Sequence, residues 1–344
     1  MRYTIALSLA SLFAAAPALR AEVPVVVTDI APVHALVAGV MGDLGAPVLL
    51  LDRGADAHDF QLRPSQAAAL QDAGLVVWIG PEMTPWLERG LEGAGAAQLR
   101  LLGVEGTHLQ DFGAFGASDG HDHADDHGHD HAAEAKADDH GHDHEEAAKA
   151  DDHGHDHGAA EDDHAGHDHS GTDPHAWLDP ANAALWVTAI AAELGRIDPA
   201  NAAAYAANAD RTRDAIAAVE AEVATLLAPV RDRPFVVFHD AYGYFAGHFG
   251  LNVAASVAAG DAASPGAARL RDLQAAMGDG AALCIFPEAN HDSRQVAQMA
   301  EATGARLGGA LDPEGATQDP GPDAWAGLMR GIATTLAECL GTTG

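Results

Sequence analysis

Histidine and aspartate are concentrated in one segment, residues 119–169, which holds fourteen of the 21 histidines. The unit Asp-Asp-His-Gly-His-Asp-His occurs at 125–131, 138–144 and 151–157, and a degenerate fourth copy spans 162–169. Neutral imidazole is a good ligand for zinc, copper and nickel, so many imidazoles beside carboxylates are expected to bind such ions weakly and interchangeably. The segment is therefore predicted to collect metal ions.

The same segment has nothing with which to build a core. It contains no Leu, Ile, Val, Phe, Trp or Tyr, so apolar burial cannot offset the entropy of ordering its backbone. We expect a disordered loop over 119–170 with weak auxiliary metal sites at His121, His123, His127, His129, His131, His140, His142, His144, His153, His155, His157, His164, His167 and His169. The alternative is a solubilising acidic linker. Because a disordered loop cannot form a rigid, selective site, the ligands of such a site must lie elsewhere.

Three histidines outside the loop lie in segments with turn or strand-end features. His58 follows a turn-like Gly-Ala-Asp, His175 follows Asp-Pro, and His239 ends an apolar run. Their wide separation suits a metal site assembled between two lobes better than a local finger motif. The alternative for each is a hydrogen-bonded structural histidine.

Short apolar runs alternate with helical patterns, which is typical of an α/β fold with parallel sheets. Strands are predicted at 23–28, 47–51, 75–79, 99–102, 235–238, 253–257, 282–286 and 305–307. Helices are predicted at 33–41, 65–72, 84–91, 180–194, 199–227, 241–249, 267–277, 293–303 and 323–340. We therefore predict two β/α sandwich lobes, with a cleft lined by loops at the carboxyl ends of the strands.

One helix is long enough, at about 40 Å, to connect the two lobes. Asp198 is its expected N-cap and Pro199 its first residue. Its apolar face is predicted to consist of Ile216, Val219, Val223 and Leu226. The predicted organisation is a leader at 1–21, a first lobe at 22–118, the disordered loop at 119–170, the end of the first lobe at 171–198, the linking helix at 199–228 and a second lobe at 229–344.

The first 21 residues have the layout of a secretory signal peptide, with Arg2, an apolar run at 5–16 and small residues after it. We expect cleavage near Ala21 and export to the periplasm without a direct membrane anchor, because no cysteine near the cleavage site could accept a lipid. A formal charge of −33 argues against nucleic acid and an anionic membrane surface as partners.

Four motifs resemble those of the ZnuA-type zinc-binding proteins of ABC transporters. They are Gly-Ala-Asp-Ala-His-Asp-Phe-Gln-Leu-Arg-Pro-Ser at 54–65, Leu-Val-Val-Trp-Ile-Gly-Pro-Glu at 75–82, Asp-Pro-His-Ala-Trp-Leu-Asp-Pro at 173–180 and Val-Phe-His-Asp-Ala-Tyr-Gly-Tyr-Phe at 237–245. The resemblance runs from about residue 23 to 340, interrupted by a His/Asp-rich insertion of a kind frequent in the family. It implies two lobes joined by a rigid helix, capture of Zn²⁺ in the cleft between them, and delivery to a membrane permease.

The resemblance also implies a set of metal ligands. Three histidines bind Zn²⁺ in this family, and the matching residues are His58, His175 and His239. Manganese-binding relatives usually carry a carboxylate at the third position, so His239 favours zinc. Many relatives add an acidic ligand from the second lobe, and Asp312 matches that position. In other zinc-type members water completes the tetrahedron.

The chain has two cysteines, Cys284 and Cys339. In an exported protein one disulfide is the expected outcome, and two independent buried thiols are the alternative because spacing alone does not prove pairing. The two residues also resemble a pair that forms a disulfide in some zinc-type members.

Other polar residues are assigned supporting roles. Metal-bound imidazoles usually donate their second N–H to a carboxylate or carbonyl. Glu288, just after the predicted strand at 282–286, could accept such a hydrogen bond, and Asp240 could accept one from His239. The remaining histidines are expected to be packing, surface or structural residues: His34, His108, His248 and His291.

Two other functions compete with zinc import by a monomer that delivers to a permease. Three histidines with an open fourth position also describe catalytic zinc, but no His-Glu-x-x-His helix is found, so we expect no enzyme. A periplasmic zinc buffer would rely on the His/Asp-rich loop alone.

Deleting residues 119–169 is expected to leave one tight zinc ion per molecule and to remove several weaker ones. The tight ligands all lie outside the loop, which has no apolar residues with which to support the fold. Zinc titration of the intact and deleted proteins at neutral pH measures both classes. Loss of the tight ion on deletion would mean that the loop supplies one of its ligands.

Overall fold

The structure, a computed structural model, describes residues 23–58, 60–113, 171–258, 267–277 and 283–342. The predicted leader and the His/Asp-rich loop therefore lie outside the described residues. Within these ranges every predicted strand and helix overlaps an observed element. None of the described helices combines the length and apolar character that crossing a membrane requires.

A parallel sheet of four strands forms the centre of the first lobe. Across the sheet the order is β2 (Val48–Leu49), β1 (Val26–Thr28), β3 (Leu75–Trp78) and β4 (Ala97–Arg100). The helices of this lobe are α1 (Ala31–Met41), α2 (Pro64–Asp72) and α3 (Pro85–Leu91). All residues of β1 and β3 are buried, because each central strand is covered on both faces, and this is why both strands are apolar apart from Thr28.

Two long helices follow the described end of the first lobe. They are α4 (Pro180–Ile197) and α5 (Ala202–Leu227). Gly195 does not end α4 as its sequence position suggests. A Cβ atom there would lie 3.1 Å from the Ala202 Cβ, so the glycine instead allows α4 and α5 to approach closely.

The predicted start of the linking helix is also wrong, because α5 begins at Ala202 rather than at Pro199. Asp198 does not cap this helix by bonding to its first backbone N–H groups. Its carboxylate accepts hydrogen bonds from Asn201 Nδ2 at 2.6 Å and Tyr205 Oη at 3.0 Å. The Asp198 carboxylate is thus bonded to side chains near the start of α5 and not to the free backbone N–H groups of the helix.

The apolar face of α5 differs from the predicted face by one residue. Leu226 is 41% exposed, whereas Leu227 is buried. Leu227 lies four residues after the buried Val223 and so continues the same face of a helix with 3.6 residues per turn. Leu226 falls about 100° away from it on the helix circumference.

The second lobe repeats the architecture of the first. Its parallel sheet has the order β6 (Val253–Ser256), β5 (Phe235–Val237), β7 (Cys284–Ile285) and β8 (Arg306–Leu307). Its helices are α6 (Gly243–Phe249), α7 (Ala267–Met277), α8 (Arg294–Thr303) and α9 (Ala324–Gly341). The structure thus has the predicted two α/β lobes.

The linking helix is not the only connection between the lobes. Helix α5 packs against α1, α4 and α9, and α9 also packs against α1. The indole Nε1 of Trp177 donates to Pro313 O at 2.8 Å, and Trp325 Nε1 donates to Trp177 O at 2.9 Å. One apolar core therefore continues from the first lobe into the second.

A polar cluster centred on the buried Asp179 reinforces this connection. His248 in α6 places Nδ1 2.9 Å from Asp179 Oδ1 and Nε2 2.9 Å from Glu220 Oε1. His108 Nδ1 lies 3.0 Å from the other Asp179 oxygen. The hydrogen bond to Asp179 raises the pKa of His248. Burial acts to raise the pKa of Asp179, but hydrogen bonds from both histidines outweigh it and lower that pKa. These two histidines have structural partners, as expected.

The predicted disulfide between Cys284 and Cys339 is confirmed, and it joins β7 to α9.

Replacing both cysteines with alanine is expected to lower the free energy of unfolding by about 4 kcal/mol, because the bond closes a loop of 55 residues in the unfolded chain. Urea denaturation of the oxidised protein and the double variant measures the difference. The reduced wild-type protein is the control for cavity effects, and equal stability of its oxidised and reduced forms would contradict the prediction.

Candidate metal centre

A tight turn fixes the position of His175. Its backbone N–H donates to Asp173 Oδ1 at 3.0 Å, and its imidazole Nδ1 lies 2.8 Å from the same oxygen. Tyr244 of α6 donates its hydroxyl to Asp173 O at 3.0 Å, so the turn is held by the second lobe as well. The side chain is fully buried. With Nδ1–H donating to a carboxylate, the lone pair of Nε2 is available to a metal.

His239 directly follows β5 and is oriented in the same manner. Its Nδ1 lies 2.6 Å from Glu288 Oε2, so Glu288, which the sequence suggested only as a carboxylate supporting the site, is the partner of this ring. The other oxygen of Glu288 accepts the Tyr242 hydroxyl at 3.1 Å. Asp240, the alternative candidate, accepts the backbone N–H of Gly113 at 2.9 Å instead. The carboxylate that orients His239 therefore comes from the loop after β7.

His58 lies in the first-lobe loop that follows β2. Its backbone N–H donates to Asp56 Oδ1 at 2.8 Å, which closes the turn before it. The preceding carbonyl, of Ala57, accepts the indole N–H of Trp86 at 2.7 Å. The imidazole is 11% exposed, and its Nε2 lies 3.9 Å from Glu314 Oε1 of the second lobe.

The structure brings these three histidines together. The ring centroids of His58 and His175 are 5.7 Å apart, and those of His175 and His239 are 5.3 Å apart. The Nε2 atoms of His175 and His239 are separated by 3.5 Å. Since two of the rings have Nδ1 directed at carboxylates, their Nε2 atoms face each other across the boundary between the lobes.

Glu314 is an acidic residue at this cluster that sequence reasoning missed. It is 7% exposed, and burial, aided by the charge of Asp56, raises its pKa to about 8. A buried carboxylate is costly unless it is neutral or paired. The site therefore places beside the imidazoles a buried carboxyl group that keeps its proton to a higher pH than an exposed glutamate does.

The carboxylate of Asp312 has other partners. Its Oδ1 accepts the backbone N–H of Ala316 at 2.8 Å, and its Oδ2 accepts the backbone N–H of Thr317 at 2.9 Å and the Thr317 hydroxyl at 2.5 Å. Both oxygens thus organise the loop that carries Glu314. Asp312 as a metal ligand stays a prediction.

A second grouping of ligand atoms overlaps this cluster. His239, Glu288 and His291 each offer one atom within 4.8 Å of the others. In this grouping Glu288 Oε2 is 2.6 Å from His239 Nδ1 and 3.7 Å from His291 Nε2. The shorter of these separations is that of a hydrogen bond, which favours Glu288 as the partner that orients His239.

The position of Asp173 in the site could have been inferred from the sequence, whereas that of Glu314 could not. Asp173 lies two residues before His175, and that short spacing could have indicated the hydrogen bond between them. Glu314 carries no comparable local pattern. His34 lies apart from these pairs, buried in α1, where burial lowers its pKa.

Known proteins resemble this chain over nearly its whole length. The family model described as ZnuA, zinc-uptake complex component A, periplasmic, matches residues 26–339. A high-affinity zinc uptake system protein ZnuA of Paracoccus denitrificans is 51% identical over 330 residues, which cover 95% of each chain. The protein of the same name from Brucella abortus is 38% identical over 317 residues, covering 92% of this chain and 91% of its own.

Solved structures show the same fold. The manganese complex of FpvC from Pseudomonas aeruginosa has a TM-score of 0.70 at 20% identity and covers 94% of this chain and 100% of its own. A zinc-bound ZnuA deletion mutant has a TM-score of 0.68 at 22% identity and covers 93% of this chain and 100% of its own. Together with the family match and the closely similar relatives, the two lobes show that the chain belongs to the ZnuA family of periplasmic zinc-uptake proteins.

Proposed function

We propose that this protein captures Zn²⁺ in the periplasm and delivers it to the permease of a zinc ABC transporter. The observation that carries the proposal is the convergence of His58, His175 and His239 from separate segments at the boundary of the two lobes. The names of the curated relatives, which are high-affinity zinc uptake proteins, support the same function.

The spacing of the imidazoles suits zinc. Two nitrogens bound at about 2.0–2.1 Å in a tetrahedral site lie roughly 3.3–3.4 Å from each other. The Nε2 atoms of His175 and His239 are 3.5 Å apart, so only a small movement is needed for both to bind one ion. Zinc is a borderline ion that prefers neutral imidazole to an all-oxygen site, which favours it over manganese or magnesium.

Two carboxylates, those of Asp173 and Glu288, orient the histidine rings before zinc binds. Asp173 and Glu288 accept the Nδ1–H groups of their histidines at 2.8 and 2.6 Å. Each fixes the ring orientation and the tautomer, and each increases the basicity of Nε2. The protein therefore binds zinc with rings that are already oriented, which lowers the entropy cost of capture.

The division of the ligands between lobes supports a means of release. His58 and His175 belong to the first lobe, whereas His239 and Glu288 belong to the second. A zinc ion bound between them links the lobes, and separating the lobes would remove ligands one at a time. We propose that docking of the monomer on the permease provides that separation, while the His/Asp-rich loop collects ions at low zinc concentration.

Burial of the site favours binding over catalysis. Among the described residues His175 and His239 are almost completely buried, which leaves little of either ring open to a substrate larger than an ion or water. The family match, to a zinc-uptake component, agrees. We therefore prefer transport to zinc hydrolysis.

Replacing His239 with alanine is expected to reduce tight zinc affinity more than about 100-fold, because a ligand is lost outright rather than a supporting group. Competition against a strong zinc chelator, using protein without residues 119–169, measures it. His108→Ala is the matched control, since that ring is 60% exposed and hydrogen-bonded to Asp179. His291→Ala and His175→Ala distinguish the two groupings. Loss of tight zinc affinity in His291→Ala but not in His175→Ala would place zinc on His239, Glu288 and His291 and contradict the proposed site.

Replacing Glu288 with glutamine is expected to weaken zinc binding about 10- to 100-fold without abolishing it, since the ring of His239 loses its orienting carboxylate and keeps Nε2. The same chelator competition measures the change. Asp292→Asn, an exposed carboxylate nearby in sequence, is the control. An affinity equal to wild type would show that the hydrogen bond at 2.6 Å does not act on the metal.

A further inference from the structure

We propose that Arg53 holds the loop of His58 on the second lobe and thereby slows the release of zinc. The contact of Arg53 with Thr317 O and the Asp319 carboxylate is called the latch below. The inference rests on the proposed function and concerns the rate at which the bound ion leaves. Arg53 does not touch the ion, so it is a positioning residue that acts through His58.

The latch crosses the boundary between the lobes. Arg53 Nη2 donates to Thr317 O at 2.6 Å, and Nη1 donates to Asp319 Oδ1 at 2.7 Å. Arg53 lies in the first-lobe loop after β2, and both acceptors lie in the second-lobe loop between β8 and α9. A guanidinium presents its N–H groups in a rigid planar fork. Two bonds from one fork therefore fix the position of one loop relative to the other.

The second-lobe loop offers the latch a fixed acceptor. Thr317 donates its backbone N–H to Asp312 Oδ2 at 2.9 Å and its hydroxyl to the same oxygen at 2.5 Å. The backbone N–H of Gln318 donates to Gly315 O at 3.0 Å. Gly315 has a φ of +71°, in the left-handed region that glycine adopts without strain. The carbonyl that Arg53 binds thus belongs to a loop that is held by its own hydrogen bonds.

A short turn transmits the position of Arg53 to His58, which follows it by five residues. The backbone N–H of Ala55 donates to Asp52 O at 3.0 Å. The backbone N–H of His58 donates to Asp56 Oδ1 at 2.8 Å. Because these bonds limit how far the turn can extend, a closed latch keeps the imidazole of His58 near the second lobe.

Holding this turn matters once a bond to zinc has broken. Release from a site with several ligands begins when one ligand detaches, and the ion escapes if that ligand moves away before it binds again. A closed latch keeps a detached His58 at high effective concentration beside the ion, so rebinding competes with escape. Capture begins at His175 and His239, whose rings are oriented by carboxylates. The latch therefore slows release more than it affects capture.

The latch is weak enough to open. The side chain of Arg53 is 59% exposed, and that of Asp319 is 89% exposed. Exposed ion pairs contribute little to stability and are screened by salt. Docking on the permease can therefore open the latch, and removing it is not expected to unfold the protein.

The test compares Arg53→Met, Asp319→Ala and the double variant in the full chain loaded with one equivalent of zinc. Methionine keeps an apolar stem and removes both hydrogen bonds. Zinc release, followed by stopped-flow transfer to excess chelator, is expected to be about three- to tenfold faster in Arg53→Met. The double variant should release zinc no faster than Arg53→Met, because Asp319 acts through Arg53. Arg213→Met, which loses an exposed ion pair within α5, is the matched control and should release zinc at the wild-type rate.

Affinity and salt provide two further readouts. The Kd for zinc in chelator competition should rise by the same factor as the release rate, which leaves the rate of capture unchanged. Sodium perchlorate, whose anion binds zinc weakly, should accelerate release from the wild type more than from Arg53→Met, since only the wild type has the ion pair to be screened. Metal-free Arg53→Met should unfold at the wild-type temperature, because the side chains of the pair are exposed.

An unchanged release rate in Arg53→Met would overturn the inference and leave zinc capture by the three histidines intact. Faster release with an unchanged Kd would also overturn it, since the contact would then restrict access to the site without holding a ligand. Failure of the wild-type protein to bind zinc tightly would instead refute the proposed function, and this inference with it.

Discussion

The pairing of buried imidazoles with buried carboxylates is the interaction on which the site depends. His175 and His239 are inaccessible to water, so each Nδ1–H must find a partner within the protein. Asp173 and Glu288 provide it at 2.8 and 2.6 Å. The same bonds decide which nitrogen of each ring is left for a metal. The hydrogen bonds that satisfy these buried N–H groups are thus the same ones that orient the rings for a metal.

A core shared by the two lobes holds these imidazole–carboxylate pairs in place. Helices α1, α4, α5 and α9 pack together behind the site, and a chain of indole hydrogen bonds links Trp325 to Trp177 and Trp177 to Pro313. That arrangement limits how far the loop of Glu314 can move relative to His175. Ligands held by such packing suit a protein that must select one ion, because selectivity requires fixed ligand positions while the ion is bound.

Zinc collection and zinc selection make opposite physical demands. Under the proposed function, collection relies on many imidazoles, which the repeated Asp-Asp-His-Gly-His-Asp-His unit contains. Selection needs few ligands held by tertiary packing, as at His58, His175 and His239. Under the proposed function, separating the two tasks in one chain would explain why an extremely acidic, histidine-rich insertion accompanies an α/β fold.

The sequence by itself determined the alternation of strands and helices, the long helix, and the three histidine segments, because these follow from local periodicity and from motifs with short spacing. The spacing of two residues between Asp173 and His175 could also have indicated their hydrogen bond, although it was not predicted. Only the tertiary structure decided that Glu314 lies beside His58. The physical reason is that local patterns report on neighbours along the chain, whereas these partners lie on opposite lobes. Their proximity exists only once both sheets and the helices between them have packed.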